Sequence, residues 1–476
     1  MSDAQADKKV IPIQAAADEV EVSLYQARQK IYPRSVEGVF AYWRWLLVAF
    51  TQILFYGLPW LEWGARQAVL FDLNARRFYI FNLVFYPQDI IYLTGLLVIS
   101  ALSLFLFTAV AGRLWCGYAC PQTVYSEIFM WIERQVEGDR SARMRLDQSD
   151  MSTQKFVRKL SKHALWIALS LWTGFTFVGY FTPIHDLWTE VMQNATSSWE
   201  TFWILFYGFA TYGNAGFMRE QVCKYMCPYA RFQSAMFDHD TLIVTYDAAR
   251  GDPRGARSRK ADRSQLNLGE CVDCSLCVQV CPTGIDIRNG LQYECIGCGA
   301  CADVCDTVMD KMGYPRGLVR YTTENALANN WSRQDIWRRV LRPRVLIYAS
   351  FLVALVIGLL VALSMRIPFK VDVVRDRATL ARINDNGQIE NIYRLQIMNA
   401  TEHEKRFRLS VRGLDGVALA TDSDITVEAV QARWIVSRVT IPYDSATGGS
   451  HPIQFVIEEV GGKDQLVEKT VFLVPR

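Results

Sequence analysis

The chain has 476 residues, which is too long for one ordinary domain. Its 51 basic and 48 acidic residues leave a formal net charge of +3, so nucleic acid is not an expected partner. Hydrophobic residues make up 51% of the chain, near the upper edge of the soluble range, which disfavours a purely soluble protein.

The first 38 residues are polar, with acidic side chains at Asp18, Glu19 and Glu21, and they predict a tail with no cleavable signal peptide. After this tail, five segments are apolar enough over windows of about 19 residues to cross a bilayer. These segments are 45–61, 90–112, 164–184, 201–218 and 345–365. One such run is compatible with a buried core helix, but five predict a polytopic membrane protein.

The basic residues beside these segments predict the side on which each loop lies, because positively charged loops stay in the cytoplasm. Lys and Arg are frequent in the tail, in 113–162 and just before residue 345, whereas 184–200 has none. We therefore expect a multi-pass protein of the cell inner (cytoplasmic) membrane, in contact with lipid and with its N-terminus inside. The predicted domains are a cytoplasmic tail 1–38, a four-helix transmembrane region 39–218, a cytoplasmic region 219–344, a fifth transmembrane helix 345–365 and an extracytoplasmic domain 366–476.

Two short cysteine motifs follow the second and fourth apolar segments. The first motif is CGYACP (116–121) and the second motif is CKYMCP (223–228), and together they indicate an internal repeat. Residues four apart on a helix share a face, so each motif is expected to present paired sulfurs in one direction. The four thiols, here called the thiol quartet, are Cys116, Cys120, Cys223 and Cys227.

If the two hairpins pack around a pseudo-twofold axis, the thiol quartet converges near the membrane boundary. Soft thiolates select Cu(I) or an iron–sulfur centre over hard ions. Free cysteines are more often small buried hydrophobes, but two matching pairs favour a metal or redox site. His239 is a weaker candidate ligand for the same metal.

A proline ends each motif, and we expect Pro121 and Pro228 to bend the chain away and leave the thiols accessible. After Pro121, apolar residues recur at helical spacing, as at Val124, Ile128 and Ile132. This pattern predicts a helix lying at the membrane surface.

All twelve cysteines lie between Cys116 and Cys305, on the predicted cytoplasmic side, so disulfides are not expected. Those outside the quartet form two C-x2-C-x2-C-x3-C motifs within about 262–312. This spacing is typical of two-cluster bacterial ferredoxins, in which each motif gives three ligands to one [4Fe-4S] cluster and its fourth to the other. The predicted ligands are Cys271, Cys274, Cys277 and Cys305 for the first cluster, and Cys295, Cys298, Cys301 and Cys281 for the second.

Zinc is the competing metal, but tetrahedral zinc sites have a longer gap between cysteine pairs. Pro282 after Cys281 fits the ferredoxin pattern, whereas Asp306 follows Cys305 and weakens the usual turn there. Paired clusters pass single electrons, which requires a source. The sequence has no G-x-G-x-x-G fingerprint and no P-loop, so we expect the electron donor to be a separate protein or the quinone pool.

From residue 369 onward, short alternating runs such as FKVDVV, IYRLQIM and WIVSRVTI predict strands of an immunoglobulin-like β-sandwich. Nothing in this part looks catalytic. The expected fold is thus an α-helical transmembrane bundle with a cytoplasmic two-cluster ferredoxin domain and a C-terminal immunoglobulin-like β-sandwich.

The stretches CGYACPQTVYSE, CKYMCPYARFQ, the doubled ferredoxin motif and GLVRYTTEN resemble the cytochrome c oxidase accessory proteins called CcoG, FixG or RdxA. The resemblance covers nearly the whole chain. It implies a protein that serves assembly of cbb-type cytochrome oxidase by reducing Cu(II) to Cu(I), with copper as substrate. It also implies that the quartet holds the intramembrane thiols, and that partners include oxidase assembly factors or a copper chaperone.

Two other classes of function stay open. In the first, the protein is an electron-transfer subunit like the quinol-oxidising membrane ferredoxins of periplasmic reductase systems, which share the CxxxCP motif and paired clusters. Such a subunit would lack the C-terminal β-domain, and its clusters would be reduced by quinol. Alternatively, the protein is an assembly scaffold whose β-domain grips a partner oxidase or copper chaperone. If no physiological redox couple can reduce and reoxidise the clusters, the scaffold function is favoured.

Overall fold

The computed structural model describes residues 30–259, 266–376 and 381–475. Most of the predicted tail 1–38, and residues 262–265 of the predicted ferredoxin region, lie outside the described residues. The described helices are α1 (Val39–Gly57), α2 (Ile90–Ala111), α3 (Leu114–Tyr118), α4 (Pro121–Glu137), α5 (Arg140–Gln148), α6 (Thr153–Val178), α7 (Ile184–Met192), α8 (Ser198–Thr211), α9 (Pro228–Met236), α10 (Ala248–Gly251), α11 (Leu276–Gln279), α12 (Ala300–Met312), α13 (Glu324–Ala328), α14 (Arg333–Val340) and α15 (Pro343–Ser364).

The strands of the described residues fall into a region before α2, a pair flanking the cysteine motifs, and the C-terminal domain. They are β1 (Glu62–Trp63), β2 (Arg66–Gln67), β3 (Val69–Asp72), β4 (Arg77–Ile80), β5 (Leu83–Phe85), β6 (Ile243–Tyr246), β7 (Val319–Thr322), β8 (Phe369–Arg375), β9 (Arg382–Ile383), β10 (Ile389–Asn399), β11 (Lys405–Arg412), β12 (Ala418–Leu419), β13 (Asp424–Val427), β14 (Ala432–Ile441), β15 (Gly449–Glu459) and β16 (Gln465–Val474).

The apolar helices support the membrane character predicted from the sequence. Within the described ranges, three helices are long and apolar enough to cross a membrane: Val39–Trp60, Pro87–Ala111 and Pro343–Ser364. The other two predicted spans are also helical, but α6 begins with charged turns and α8 gives way to a π-helix at Tyr212–Met218. Five crossings and the side on which each loop lies stay predictions.

The cysteine-rich region lies where α1 begins and α2 ends. In the first turn of α1, the backbone N–H groups of Phe40 and Ala41 donate to the carboxylate of Asp303 in α12, at 3.1 and 2.8 Å. A carboxylate in this position satisfies free N–H groups and interacts favourably with the helix dipole. Beyond α2, the N–H of Leu242 donates to the carbonyl of Val110 at 3.0 Å. Both helices are therefore anchored to the region that carries the cluster motifs.

A small β-structure that the sequence does not predict occupies the opposite end of α1 and α2, within the region 39–218. Strands β3 to β5 contribute to an apolar cluster shared with the C-terminal domain. Arg66 pairs with Glu402, and the Tyr86 hydroxyl donates to the carbonyl of Asn399 at 3.1 Å. These strands have only two to four residues each, too few for alternation to be recognised in the sequence.

Helix α4 is present as predicted, but its apolar face contacts protein and not the membrane surface. Phe129 is fully buried, with its ring 5.0 Å from that of Trp166 in α6. One turn further, the carboxylate of Glu133 forms ion pairs with Arg143 and Arg219 at 2.9 and 3.1 Å. The sequence pattern predicts one apolar face, but it does not distinguish a lipid from a neighbouring helix as its cover.

The predicted C-terminal β-sandwich is present after α15. One sheet has the order β12-β14-β10-β8, with β9 beside β10, and the other has the order β13-β11-β15-β16. Alternate residues of β10, including Tyr393 and Leu395, are fully buried against Phe407 and Phe455 of the facing sheet. This alternation is what the sequence predicts for strands with one face in a sandwich core.

Candidate redox site

The cysteines predicted to bind the first cluster come together around one small cavity. Cys271 and Cys274 lie in the loop before α11, Cys277 lies in α11, and Cys305 comes from α12. All four line this cavity, together with Tyr246 and Arg288.

The cysteines predicted to bind the second cluster line a neighbouring cavity. Cys281, Cys295, Cys298 and Cys301 are all part of its wall, and Cys277 also reaches it. Cys301 and Cys305 are one turn apart on α12 yet line different cavities, which is the exchange of fourth ligands that the doubled motif predicts.

The helix at the end of the first motif is short, whereas the helix at the end of the second motif continues, and the residue after the last cysteine of each motif explains this difference. Pro282 cannot donate a backbone hydrogen bond, and α11 ends before it, at Gln279. Asp306 imposes no such limit, and α12 runs through Cys305 to Met312. The Asp306 carboxylate accepts a hydrogen bond from the N–H of Gly317 at 2.8 Å. This bond fixes the segment that follows α12 against the helix.

The donor chemistry of both cavities fits iron–sulfur clusters. Each gathers four thiols, the ligand set that [4Fe-4S] clusters use. Burial raises the pKa of Cys277 to about 11, although the nearby Arg288 guanidinium opposes this shift. Metal–thiolate bonds therefore form with release of protons. The eight ligand assignments stay predictions.

The thiol pairs of the two motifs do not lie on continuous helices, so the expected i, i+4 arrangement is wrong in this respect. Helix α3 ends at Tyr118, and a π-helix of the second motif ends at Met226. Cys120 and Cys227 each have an extended backbone and precede the prolines that begin α4 and α9. A residue before proline is disfavoured in the helical conformation, which accounts for both breaks.

The thiol quartet is nevertheless brought together. Burial raises the pKa of Cys116 to about 11, with smaller contributions from the negative charges of Cys120 and Cys227. Burial also raises the pKa of Cys223 to about 12, and the charges of the other three thiols add to this shift. The four sulfurs thus share one electrostatic environment, in which the Arg113 guanidinium is the opposing positive charge.

The first motif packs directly on the second-cluster loop. A Cβ atom on Gly117 would lie 2.8 Å from the Cα of Cys298 and 2.9 Å from the carbonyl oxygen of Gly297, so only glycine fits there. Gly297 and Gly299 have φ of 66° and 73°, the left-handed conformation that folds the loop around Cys298. Arg113 donates to the carbonyls of Tyr293 and Ala230 and so ties the same loop to the second motif region.

Cys223 of the second motif reaches the same loop from another side. It lines a small cavity together with Cys298, Glu127 and Glu220. Cys116, Cys223 and Cys298 also belong to one hydrophobic cluster. The thiol quartet and the second-cluster cavity are therefore direct neighbours, which no spacing in the sequence reveals.

His239 does not join the quartet. Its side chain is 74% exposed, and its Nδ1 lies 2.7 Å from the carboxylate of Glu324, which raises the pKa of the imidazole. Within the described residues, no three His, Cys, Asp or Glu side chains form a ready site for a single metal ion. Copper ligation by the quartet or by His239 stays a prediction.

Family profiles match three stretches of the chain. A "4Fe-4S dicluster domain" matches residues 218–324, which include the second motif and both ferredoxin motifs. A "4Fe-4S binding domain" matches residues 93–137, around the first motif. An "IG-like fold at C-terminal of FixG" matches residues 359–475. The chain thus combines iron–sulfur domains with an immunoglobulin-like C-terminal domain.

Curated relatives match nearly the full length. Nitrogen fixation protein FixG of Rhizobium meliloti (strain 1021) is 39% identical over 96% of this chain and 95% of its own. Proteins RdxA and RdxB of Cereibacter sphaeroides are both 37% identical, over 93% and 94% of this chain and 96% and 97% of their own. A crystal structure of a FixG-related protein from Vibrio parahaemolyticus aligns with 23% of this chain and 97% of its own, at 24% identity and a TM-score of 0.21, which is too low to support an argument.

Proposed function

The chain belongs to the FixG and RdxA family, which includes the CcoG proteins, and from this premise we propose that it is a cupric reductase of the cytoplasmic membrane. As an iron–sulfur protein with an electron-transfer role, it would pass electrons one at a time to Cu(II). The Cu(I) produced would serve assembly of a cbb-type cytochrome c oxidase.

In this proposal the two cavities hold the clusters as the sequence predicts. Cys271, Cys274, Cys277 and Cys305 would bind the first, and Cys281, Cys295, Cys298 and Cys301 the second. When bound, each [4Fe-4S] cluster supplies or accepts one electron. The positive φ angles of Gly297 and Gly299 fold the loop around Cys298, and the backbone of Cys298 lies against Gly117 of the first motif.

The thiol quartet is proposed to bind the copper substrate. Reduction of Cu(II) to Cu(I) takes one electron, and thiolates favour the softer product. Because Cys116 and Cys223 are protonated at neutral pH, copper binding would release their protons to water.

The observation that carries this proposal is the direct contact between the first motif and the second-cluster loop. Gly117 lies against Cys298 with no room for a side chain, and Cys223 shares a cavity with the same cysteine. An electron that reaches the second cluster therefore has the quartet as its neighbour. No step through solvent is needed.

Replacing Cys223 or Cys227 by Ser tests the proposal. Cu(II) reduction, followed with a Cu(I)-specific chelator, is expected to fall to background while the cluster absorbance is retained. Met226→Leu is the matched control, because Met226 lies between the two cysteines and is 56% exposed. Normal Cu(II) reduction by Cys223→Ser and Cys227→Ser would show that these thiols do not act on copper.

Both alternatives predict different results. A subunit that passes electrons to a separate reductase would reduce no copper, whatever its own electron donor, and we expect it to lack a C-terminal β-domain such as the one present here. A scaffold would bind an oxidase assembly factor or a copper chaperone through its β-domain, and its clusters would not cycle. Iron and copper counts per chain, followed by addition of Cu(II) to the reduced protein, separate all three.

A further inference from the structure

A large cavity lies beside the cluster loops and is not used by the proposed copper chemistry. Its volume is about 950 Å³, at the upper end for small-molecule sites. Helices α1 and α3, strand β7 and the segment from α13 to α14 form its walls. Aromatic and aliphatic side chains predominate in them, including Phe40, Trp43, Leu47, Phe107, Trp115 and Tyr321.

One side of this cavity lies at the ends of two helices that are apolar enough to span a membrane. Trp43 is 52% exposed there, and Phe107 and Trp115 are each 39% exposed. Exposed tryptophans at helix ends are typical of the membrane–water interface. An apolar molecule dissolved in the bilayer would therefore reach the cavity directly from the lipid.

The inner wall of the cavity lies beside the second cysteine motif. The Tyr321 hydroxyl donates to the carbonyl of Gly297, which lies between Cys295 and Cys298. Asp306, in the same wall, directly follows Cys305 on α12. A molecule in this cavity is thus next to the loop that carries predicted ligands of the second cluster and next to Cys305, the predicted fourth ligand of the first cluster.

Polar groups are placed where an aromatic headgroup would need them. The Tyr321 hydroxyl lies 3.3 Å from that of Tyr118 and already donates to the carbonyl of Gly297, so Tyr118 donates to Tyr321, and the Tyr118 oxygen can accept a hydrogen bond from a bound hydroxyl. Arg320, Asn330 and Arg333 form a polar rim. Apolar walls with a few convergent polar groups are the usual form of a site for an amphipathic small molecule.

We propose that this cavity binds a membrane quinol, which is the electron donor of the protein. Oxidation of the quinol to the quinone breaks two O–H bonds, releases two protons to water at the polar rim, and sends one electron to each cluster. A phospholipid tail would also suit the apolar walls, but it has no hydroxyl to donate to the Tyr118 oxygen, and it gives no reason for a position beside Gly297 and Cys305. The inference rests on the iron–sulfur part of the proposed function and not on copper as acceptor.

The test uses the full chain with its clusters, in detergent, with decylubiquinone and decylubiquinol as probes and without copper. Leu47→Trp, and Ile336→Trp from the opposite wall, fill the cavity, whereas Leu46→Trp places the same side chain on the exposed neighbouring position of α1. We expect Leu47→Trp and Ile336→Trp to weaken binding of radiolabelled decylubiquinone, measured by equilibrium dialysis, by about tenfold. Both substitutions should also slow bleaching of the clusters by decylubiquinol to a similar extent. The Leu46→Trp variant should bind decylubiquinone and be reduced by decylubiquinol as the wild type is, and dithionite should reduce the clusters of all variants equally.

Two results would overturn the inference. One is that both cavity-filling variants bind decylubiquinone saturably with unchanged affinity, and that decylubiquinol reduces their clusters at an unchanged rate. The other is that decylubiquinol does not reduce the clusters of the wild-type protein and that phosphatidylglycerol displaces the bound quinone. The cavity would then be a lipid site. Because no copper is present, failure of the cupric reductase proposal would leave these results unchanged.

Discussion

The two cysteine motifs are close copies in sequence, but they have different surroundings in the structure. Position by position, Gly117 corresponds to Lys224 and Tyr118 to Tyr225. Tyr118 is buried, whereas Tyr225 is 66% exposed. The first motif thus packs on the second-cluster loop around Gly117 and Tyr118, whereas in the second motif Cys223 reaches that loop and Tyr225 is exposed.

The arginines that precede the motifs differ in the same way. Arg113 is buried and donates to backbone carbonyls beside the quartet, whereas Arg219 is paired with Glu133 and lies over the ring of Trp166. The positive charge of Arg113 lowers the pKa of Cys116 and of Cys223 against the larger effect of burial. A repeat in sequence therefore does not imply equal roles, and paired substitutions can separate them.

The largest difference is expected between Tyr118→Ala and Tyr225→Ala. Removal of the buried ring leaves a cavity and should lower the free energy of unfolding by about 3 kcal/mol, whereas the exposed ring should contribute less than about 0.5 kcal/mol. Thermal unfolding midpoints in detergent measure both. Equal losses would mean that the two motifs are packed alike.

Gly117→Ala and Lys224→Ala should also differ. The new methyl group at position 117 meets the backbone of Cys298, so one of the two segments must move, at a cost of about 1–3 kcal/mol. We expect an altered electron paramagnetic resonance signal of the second cluster and slower Cu(II) reduction. Lys224→Ala should keep both signal and rate, and an unchanged signal in Gly117→Ala would contradict the contact.

The affinity of the quartet for Cu(I) should rise with pH. The pKa values of Cys116 and Cys223, about 11 and about 12, lie above the ordinary thiol value near 8.5, so these groups carry protons at neutral pH and must lose them to bind metal. Apparent affinity should therefore increase by up to about tenfold per pH unit for each proton released. Chelator competition between about pH 6 and about pH 8 measures this; a flat profile would exclude thiolate ligation.

The smallest effect concerns the two arginines. Arg113→Gln removes the positive charge beside Cys116 and Cys223 and should weaken Cu(I) binding by about fivefold, or about 1 kcal/mol. Arg113→Lys should restore most of the affinity. Arg219→Gln should lower thermal stability, because it takes a partner from buried Glu133, but should leave Cu(I) affinity unchanged.

The sequence predicts the local chemistry of this protein well. The spacing of Cys271 to Cys305 predicts two sets of four cysteines, and the structure places these sets around two neighbouring cavities, because one short loop and one helix fix their positions. Binding of clusters by these sets stays a prediction. The alternating runs after residue 369 likewise predict the sandwich, since burial of one strand face has a period of two residues.

Tertiary contacts and interruptions were harder to predict. The approach of Gly117 to Cys298 joins segments far apart in the chain, and no local pattern encodes it. Pro121 and Pro228 disfavour the helical conformation at Cys120 and Cys227, the residues that precede them. The two cysteines of each motif therefore do not share one helix face, although their i, i+4 spacing alone predicts that they do. Strands β1 to β5 are too short to produce a periodic signal.

The most direct test of the electron path is an anaerobic stopped-flow experiment on the protein with reduced clusters. On mixing with Cu(II), the account predicts that cluster absorbance recovers as Cu(I) appears, with one Cu(I) for each cluster reoxidised. In Cys223→Ser this recovery should be lost. Clusters that stay reduced in the presence of Cu(II), or that reoxidise equally fast in Cys223→Ser, would contradict transfer through the thiol quartet.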